Sequence, residues 1–118
     1  MESTKIVKFA KKEWYLKSSA YTIIEYQQVF GTDLLDDLDA ISNEFKKSKK
    51  QIKLTIIITK LMQMFYILQN QQKESFEIFM NAFKLSDLFV AEDLKKLFTA
   101  IMSMFSVKKK SNSAKKKR

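Results

Sequence analysis

QIKLTIIITKLMQMFYILQ, residues 51–69, is the stretch on which the fold turns. Its first half, Leu54 to Ile58, is β-branched enough to suit a strand. The longer pattern argues for a helix. Leu54, Ile57, Ile58, Leu61, Phe65 and Leu68 recur with a 3.6-residue period, and no turn signal interrupts them before Asn70. One long helix over 51–69 is therefore expected. Ile56, Met62, Met64, Tyr66 and Ile67 widen its apolar surface to most sides. A helix of that kind lies at the centre of a core or under a partner.

Working upstream, 46–53 is a connector with five lysines. Before it, Leu34, Leu38, Ile41 and Phe45 form the apolar stripe of a helix over 33–45. Thr32 is suited to cap it, and Asp33, Asp36 and Asp37 favour the positive end of its dipole. Ile23, Tyr26 and Phe30 repeat at helical spacing, so 20–30 should be a helix capped by Ser18 or Ser19. Gly31 follows directly, where a left-handed residue can close it. Residues 5–16 alternate weakly between apolar and charged, and 1–17 is read as a short β-hairpin or an extended arm. Its turn lacks an Asn-Gly signal.

Downstream, 69–73 is a polar connector and Ser75 can cap a short helix carrying Phe76, Phe79, Met80 and Phe83. A loop or helical turn over 85–90 leads to a last helix over 91–105, with Leu94, Leu97, Phe98, Ile101 and Phe105 as its stripe. The expected fold class is mainly α: a compact bundle of about five helices with a short N-terminal β-hairpin or arm, forming one domain over 1–107. Residues 108–118 hold almost nothing apolar, so a disordered basic tail is expected there.

Composition narrows the chemistry. The chain of 118 residues has one glycine and no proline, too few turn residues for a many-stranded sandwich or barrel and too few glycines for a Rossmann-like or phosphate-binding loop. It has no cysteine and no histidine, which removes disulfides, thiol chemistry, the usual zinc sites and histidine acid–base catalysis. The start of the chain has no uninterrupted apolar signal region. Lys53, Lys60 and Gln63 break the most apolar stretch, so no membrane span is expected. The net charge of +9 is uneven: 108–118 carries +7, and the rest balances 15 basic against 13 acidic residues.

Three groups of residues stand out as candidate sites. Asp33, Asp36, Asp37 and Asp39 could form a metal or acid–base cluster, since Asp33 and Asp37 share a helical face. With no histidine or second acidic motif beside them, they are read instead as helix-dipole stabilisers on a solvated face, and no catalytic residue, metal or cofactor is expected. Lys108, Lys109, Lys110, Lys115, Lys116, Lys117 and Arg118 could neutralise phosphates. That makes a small basic nucleic-acid-binding protein the alternative function, although nucleic acid is not the favoured partner. Six methionines and ten phenylalanines are a heavy load for this length, and flexible thioethers suit adaptable surfaces. Met62, Met64, Phe79, Met80, Met102 and Met104 are the candidate partner surface, suited to an apolar or amphipathic helix.

SSAYTIIEYQQVFGTDLLDDL, residues 18–38, resembles the N-terminal signature of tail assembly chaperones from long-tailed phages of Gram-positive bacteria. The matching positions are Ser19, Ala20, Tyr26, Phe30, Gly31, Asp33, Leu34, Asp37 and Leu38. The stretch from Ser75 to Met80 is similar to the family's later Phe-Glu-x-Trp/Phe-Leu element, with Phe79 where a tryptophan is common. The resemblance spans about 5–105 and implies a non-catalytic protein. It would bind the tape measure protein, the long helical ruler of the tail, keep it soluble and help recruit tail tube subunits. Self-association is compatible with that role. The implied location is the host cytoplasm, with the protein absent from the mature virion.

Overall fold

A computed structural model describes residues 3–69 and 74–105. Strands β1 (Ser3–Phe9) and β2 (Lys12–Ser18) pair antiparallel, with Ser3 opposite Ser18 and Phe9 opposite Lys12. The connection uses only Ala10 and Lys11, both at positive φ (55° and 63°). That is the two-residue geometry whose twist matches the strands, adopted here without glycine. Alternation decides which face turns inward. Phe9 and Leu16 are buried with Val7 and Trp14 beside them, while Ile6 and Tyr15 pair on the outer face. The Trp14 indole N–H donates to the Phe9 carbonyl at 2.9 Å and ties the end of the hairpin.

Helix α1 (Ala20–Phe30) begins at Ser19, whose Oγ accepts from the Tyr21 N–H, while the Thr22 hydroxyl accepts from the Ser19 N–H. Gly31 closes it at φ 76°, its N–H donating to the Gln27 carbonyl at 2.8 Å. Helix α2 (Leu34–Phe45) has Asp33 at its N-cap, not Thr32 as expected from the sequence. Asp33 holds the N-cap position without a capping side-chain bond, and the Thr32 hydroxyl is committed to Asp37 instead.

Helix α3 (Leu54–Leu68) confirms the helical reading of the β-branched run, but it begins three residues later than expected. Gln51 closes a turn onto the Ser48 carbonyl, and Lys53 is the extended N-cap. Its backbone N–H donates to Glu44 Oε1 at 3.0 Å, and the Lys47 ammonium lies 2.7 Å from Glu44 Oε2. Those two donors, the lysine contact first, hold the Glu44 carboxyl below its ordinary range. Helix α4 (Phe76–Asn81) is capped by Ser75, α5 is the single turn Leu85–Leu88, and α6 spans Ala91–Phe105. The described residues therefore hold six helices, the sixth being the turn expected over 85–90.

α3 is the axle. It packs against α1, α2, α4, α6 and β2, and β1 lies on α6. Phe65 shows why the position is central. Its ring meets Phe9 at 5.6 Å, Trp14 at 4.9 Å and Phe79 at 5.8 Å between centroids, mostly edge to face. Burying such a side chain is worth roughly 1.5–3 kcal/mol, with about 0.5–1.5 kcal/mol more from each favourable aromatic pair. No described helix is long and apolar enough to cross a membrane.

Candidate functional site

The residues of the 18–38 signature converge on one buried carboxylate. Asp37 lies on the stripe made by Leu34, Leu38 and Ile41, and like them it is buried. Its Oδ2 accepts from the Tyr26 hydroxyl at 2.7 Å and from the Thr32 hydroxyl at 2.8 Å, and its Oδ1 accepts from the Lys60 ammonium at 2.9 Å. Tyr26 comes from α1, Thr32 from the link, Asp37 from α2 and Lys60 from α3. The carboxylate thus pins three helices together. Gln63 on α3 places its side-chain amide 3.1 Å from the same phenol oxygen. Tyr26 has one proton, given to Asp37, so the amide completes the network best with its NH2 turned toward the oxygen.

Electrostatics follow from this geometry. Burial alone would raise the Asp37 pKa, but hydrogen bonds from Tyr26, Lys60 and Thr32 outweigh it and leave the carboxyl below its ordinary value. Burial, then the facing carboxylate, pushes the Tyr26 phenol far above its usual range. The pair is a structural latch with both carboxylate oxygens occupied. The sequence reading of Asp37 as part of a solvated, dipole-stabilising face is therefore corrected. Asp33, Asp36 and Asp39 are exposed as expected, three residues apart on the outer side of α2. Among the described residues no group of three or more acidic, histidine or cysteine side chains could hold a metal.

Phe30 joins the second stretch of the resemblance to the first. Its ring lies 5.3 Å from Tyr26 and 5.1 Å from Phe76, which in turn is 6.3 Å from Phe79. Ser19 and Gly31 begin and end the helix that carries Tyr26 and Phe30.

The methionine surface is mostly not a surface. Met62 and Met64 are 0% exposed, and Phe79 and Met104 are also buried. α3 is enclosed by five elements, so residues on opposite sides of it are covered alike. Only Met80 and Met102 remain half-buried and within reach of solvent. The apolar side chains that do face outward include three not singled out from sequence: Leu85 (70%), Phe89 (55%) and Val90 (42%), around the short turn α5. A 3.6-residue reading could not find them, because the turn is too short to show a period. The basic tail residues Lys108, Lys109, Lys110, Lys115, Lys116, Lys117 and Arg118 lie outside the described residues, as does the expected disorder of 108–118.

The described surface has open grooves, among them the following two. One, of about 510 Å3, runs between β1 and α6 and includes Lys5, Lys95, Lys96 and Ser103; the Lys5 ammonium donates to Ser103 Oγ at 2.9 Å. The other, of about 400 Å3, lies between α2 and α6 and includes Met102. Comparison with protein families, with curated proteins and with solved structures finds no match to the chain.

Proposed function

We propose that the chain is a tail assembly chaperone: a non-catalytic protein that binds the tape measure protein in the host cytoplasm, keeps it soluble and helps bring tail tube subunits to it. The observation that carries the reading is the meeting of the two resembling stretches. Residues 18–38 and 75–80 lie far apart in sequence, yet Phe30 and Phe76 touch at 5.1 Å, and Tyr26 and Asp37 lock the same corner. Residues chosen by resemblance thus form one connected unit of the fold. They build the scaffold and leave partner contact to other positions.

Surface chemistry supports the same reading. A long apolar ruler exposed during assembly would aggregate, and covering it reversibly requires exposed apolar groups on a stable body. Leu85, Phe89, Val90 and the half-buried Met80 and Met102 supply such groups outside the core. The test is co-expression with a tape measure protein from the same genome. The soluble fraction of that protein should rise with the wild-type chain. No rise, with the chain itself shown to be folded, refutes the proposal.

A further inference from the structure

Helix α2 does two jobs on two faces. Leu34, Asp37, Leu38 and Ile41 turn inward, while Asp33, Asp36 and Asp39 form an exposed row at three-residue spacing. Beside that row, a cleft of about 400 Å3 has Leu35, Leu38, Met102 and Phe105 in its lining, together with Ser42. Asp36 and Asp39 also line it, with one cation, Lys46, at the C-terminal end of α2. Neither aspartate is paired with a cation among the described residues.

We propose that this cleft receives an amphipathic helix of a partner protein whose apolar stripe is flanked by lysine or arginine. The inference rests on the chaperone reading and names the partner's chemistry and the surface that meets it. A cleft between two helices with four apolar side chains in its lining can take the apolar stripe of a third helix, entered at i, i+3 and i+7. Met102 is the one lining residue whose unbranched thioether can reshape to an incoming side chain. Lining aspartates without a cation partner among the described residues select a basic flank and set its orientation and arrival rate more than its affinity. The chain's own segment 106–118, which follows Phe105 in sequence, is strongly basic. It offers only Val107 and Ala114 as apolar residues, too few to supply an apolar stripe.

The experiment uses two labelled helical peptides of about 18 residues with the same leucine stripe. One carries lysine on its polar face and the other glutamate. Fluorescence anisotropy with the full chain should show the lysine peptide binding at least about tenfold tighter, with affinity falling as salt rises. Asp36→Lys with Asp39→Lys should weaken the lysine peptide about tenfold or more, and Asp36→Asn with Asp39→Asn should do so less, both variants keeping the wild-type circular dichroism spectrum. Met102→Asp should weaken both peptides, and Met102→Leu should restore them. Equal binding of the two peptides, or indifference to the aspartate changes, overturns the proposal. So does lysine-peptide binding seen only after deletion of 108–118, which gives the cleft to the chain's own tail. A dimer in sedimentation that the aspartate changes abolish gives it to a second copy and overturns the proposal equally. Co-expression separates the two readings. If wild type and the double Asp→Lys variant solubilise the tape measure protein equally, the cleft inference falls and the chaperone reading stands. If wild type fails while the peptides discriminate as expected, the chaperone reading falls and the cleft stands.

Discussion

Replacing Asp37 with alanine tests whether the carboxylate is the latch of the three-helix corner. The change leaves the Tyr26 hydroxyl, on a residue 0% exposed, with only the Gln63 amide. A hydrogen bond to a charged group is worth about 1.5–3 kcal/mol, and the orphaned partner adds to its loss. The Lys60 contact contributes less, about 0–1 kcal/mol, because that side chain is 28% exposed and can return to water. The expected cost is about 2–4 kcal/mol. For a chain of this length the melting entropy makes each kcal/mol about 4 °C, so the midpoint should fall by about 8–16 °C. Tyr26→Phe, which leaves Asp37 its other two donors, should cost about 1–2 kcal/mol. The double variant should cost less than the two single changes added together, because they remove one shared bond. The pH dependence has a definite sign. A carboxyl whose pKa is lower folded than unfolded stabilises the fold above its unfolded value, near 3.9, and loses that contribution as pH falls through the depressed folded value. Wild type should therefore weaken below about pH 4 more steeply than Asp37→Ala. Chemical denaturation at several pH values reads all three quantities. A cost for Asp37→Ala below about 0.5 kcal/mol, or strict additivity with Tyr26→Phe, would refute the latch.

Three further predictions concern the backbone, the core and the tail. At Gly31 a new Cβ would meet nothing within 4 Å, so only the φ of 76° resists substitution; Gly31→Val should cost about 1–2 kcal/mol and Gly31→Asn clearly less in thermal melts. Phe65→Ala should cost about 3–5 kcal/mol, and Trp14, the sole tryptophan, should report the loss by a red-shifted emission midpoint in denaturant. Deleting 108–118 removes seven of the nine net positive charges, so any DNA affinity should drop sharply in salt-titrated binding. Binding that survives both the deletion and raised salt would favour the nucleic-acid reading over the chaperone.

The period of 51–69 was enough to choose helix over strand, because a β-branched run of five cannot outweigh an apolar stripe that continues for three more turns. Gly31 and Ser19 were also readable, since each does its work through local backbone geometry. The hairpin was harder. Its turn residues, Ala10 and Lys11, take positive φ against their own preference, held by the inward packing of Phe9 and Leu16. Asp37 was misread although its position held the clue: 34, 37, 38 and 41 are one helical face, so the acid had to go inside with the leucines. Lys60 as its partner was not readable, for nothing local links α2 to α3. The methionine surface failed for a related reason. Composition counts apolar groups, but only the tertiary arrangement around α3 says which of them are already covered.

The contact of β1 with α6 has a consequence for synthesis. Lys5 and Ser103, joined by a hydrogen bond, are separated by 98 positions, and β1 finds its cover partly on a helix made long after it. At about 5–20 residues per second, a ribosome takes about 5–20 s to make the intervening chain. During that interval the α1–α2 corner can form, while the strand pair waits without its lid. Docking of β1 on α6 thus waits for translation of α6, and slowing the ribosome within α6 lengthens the time that β1 remains without that cover.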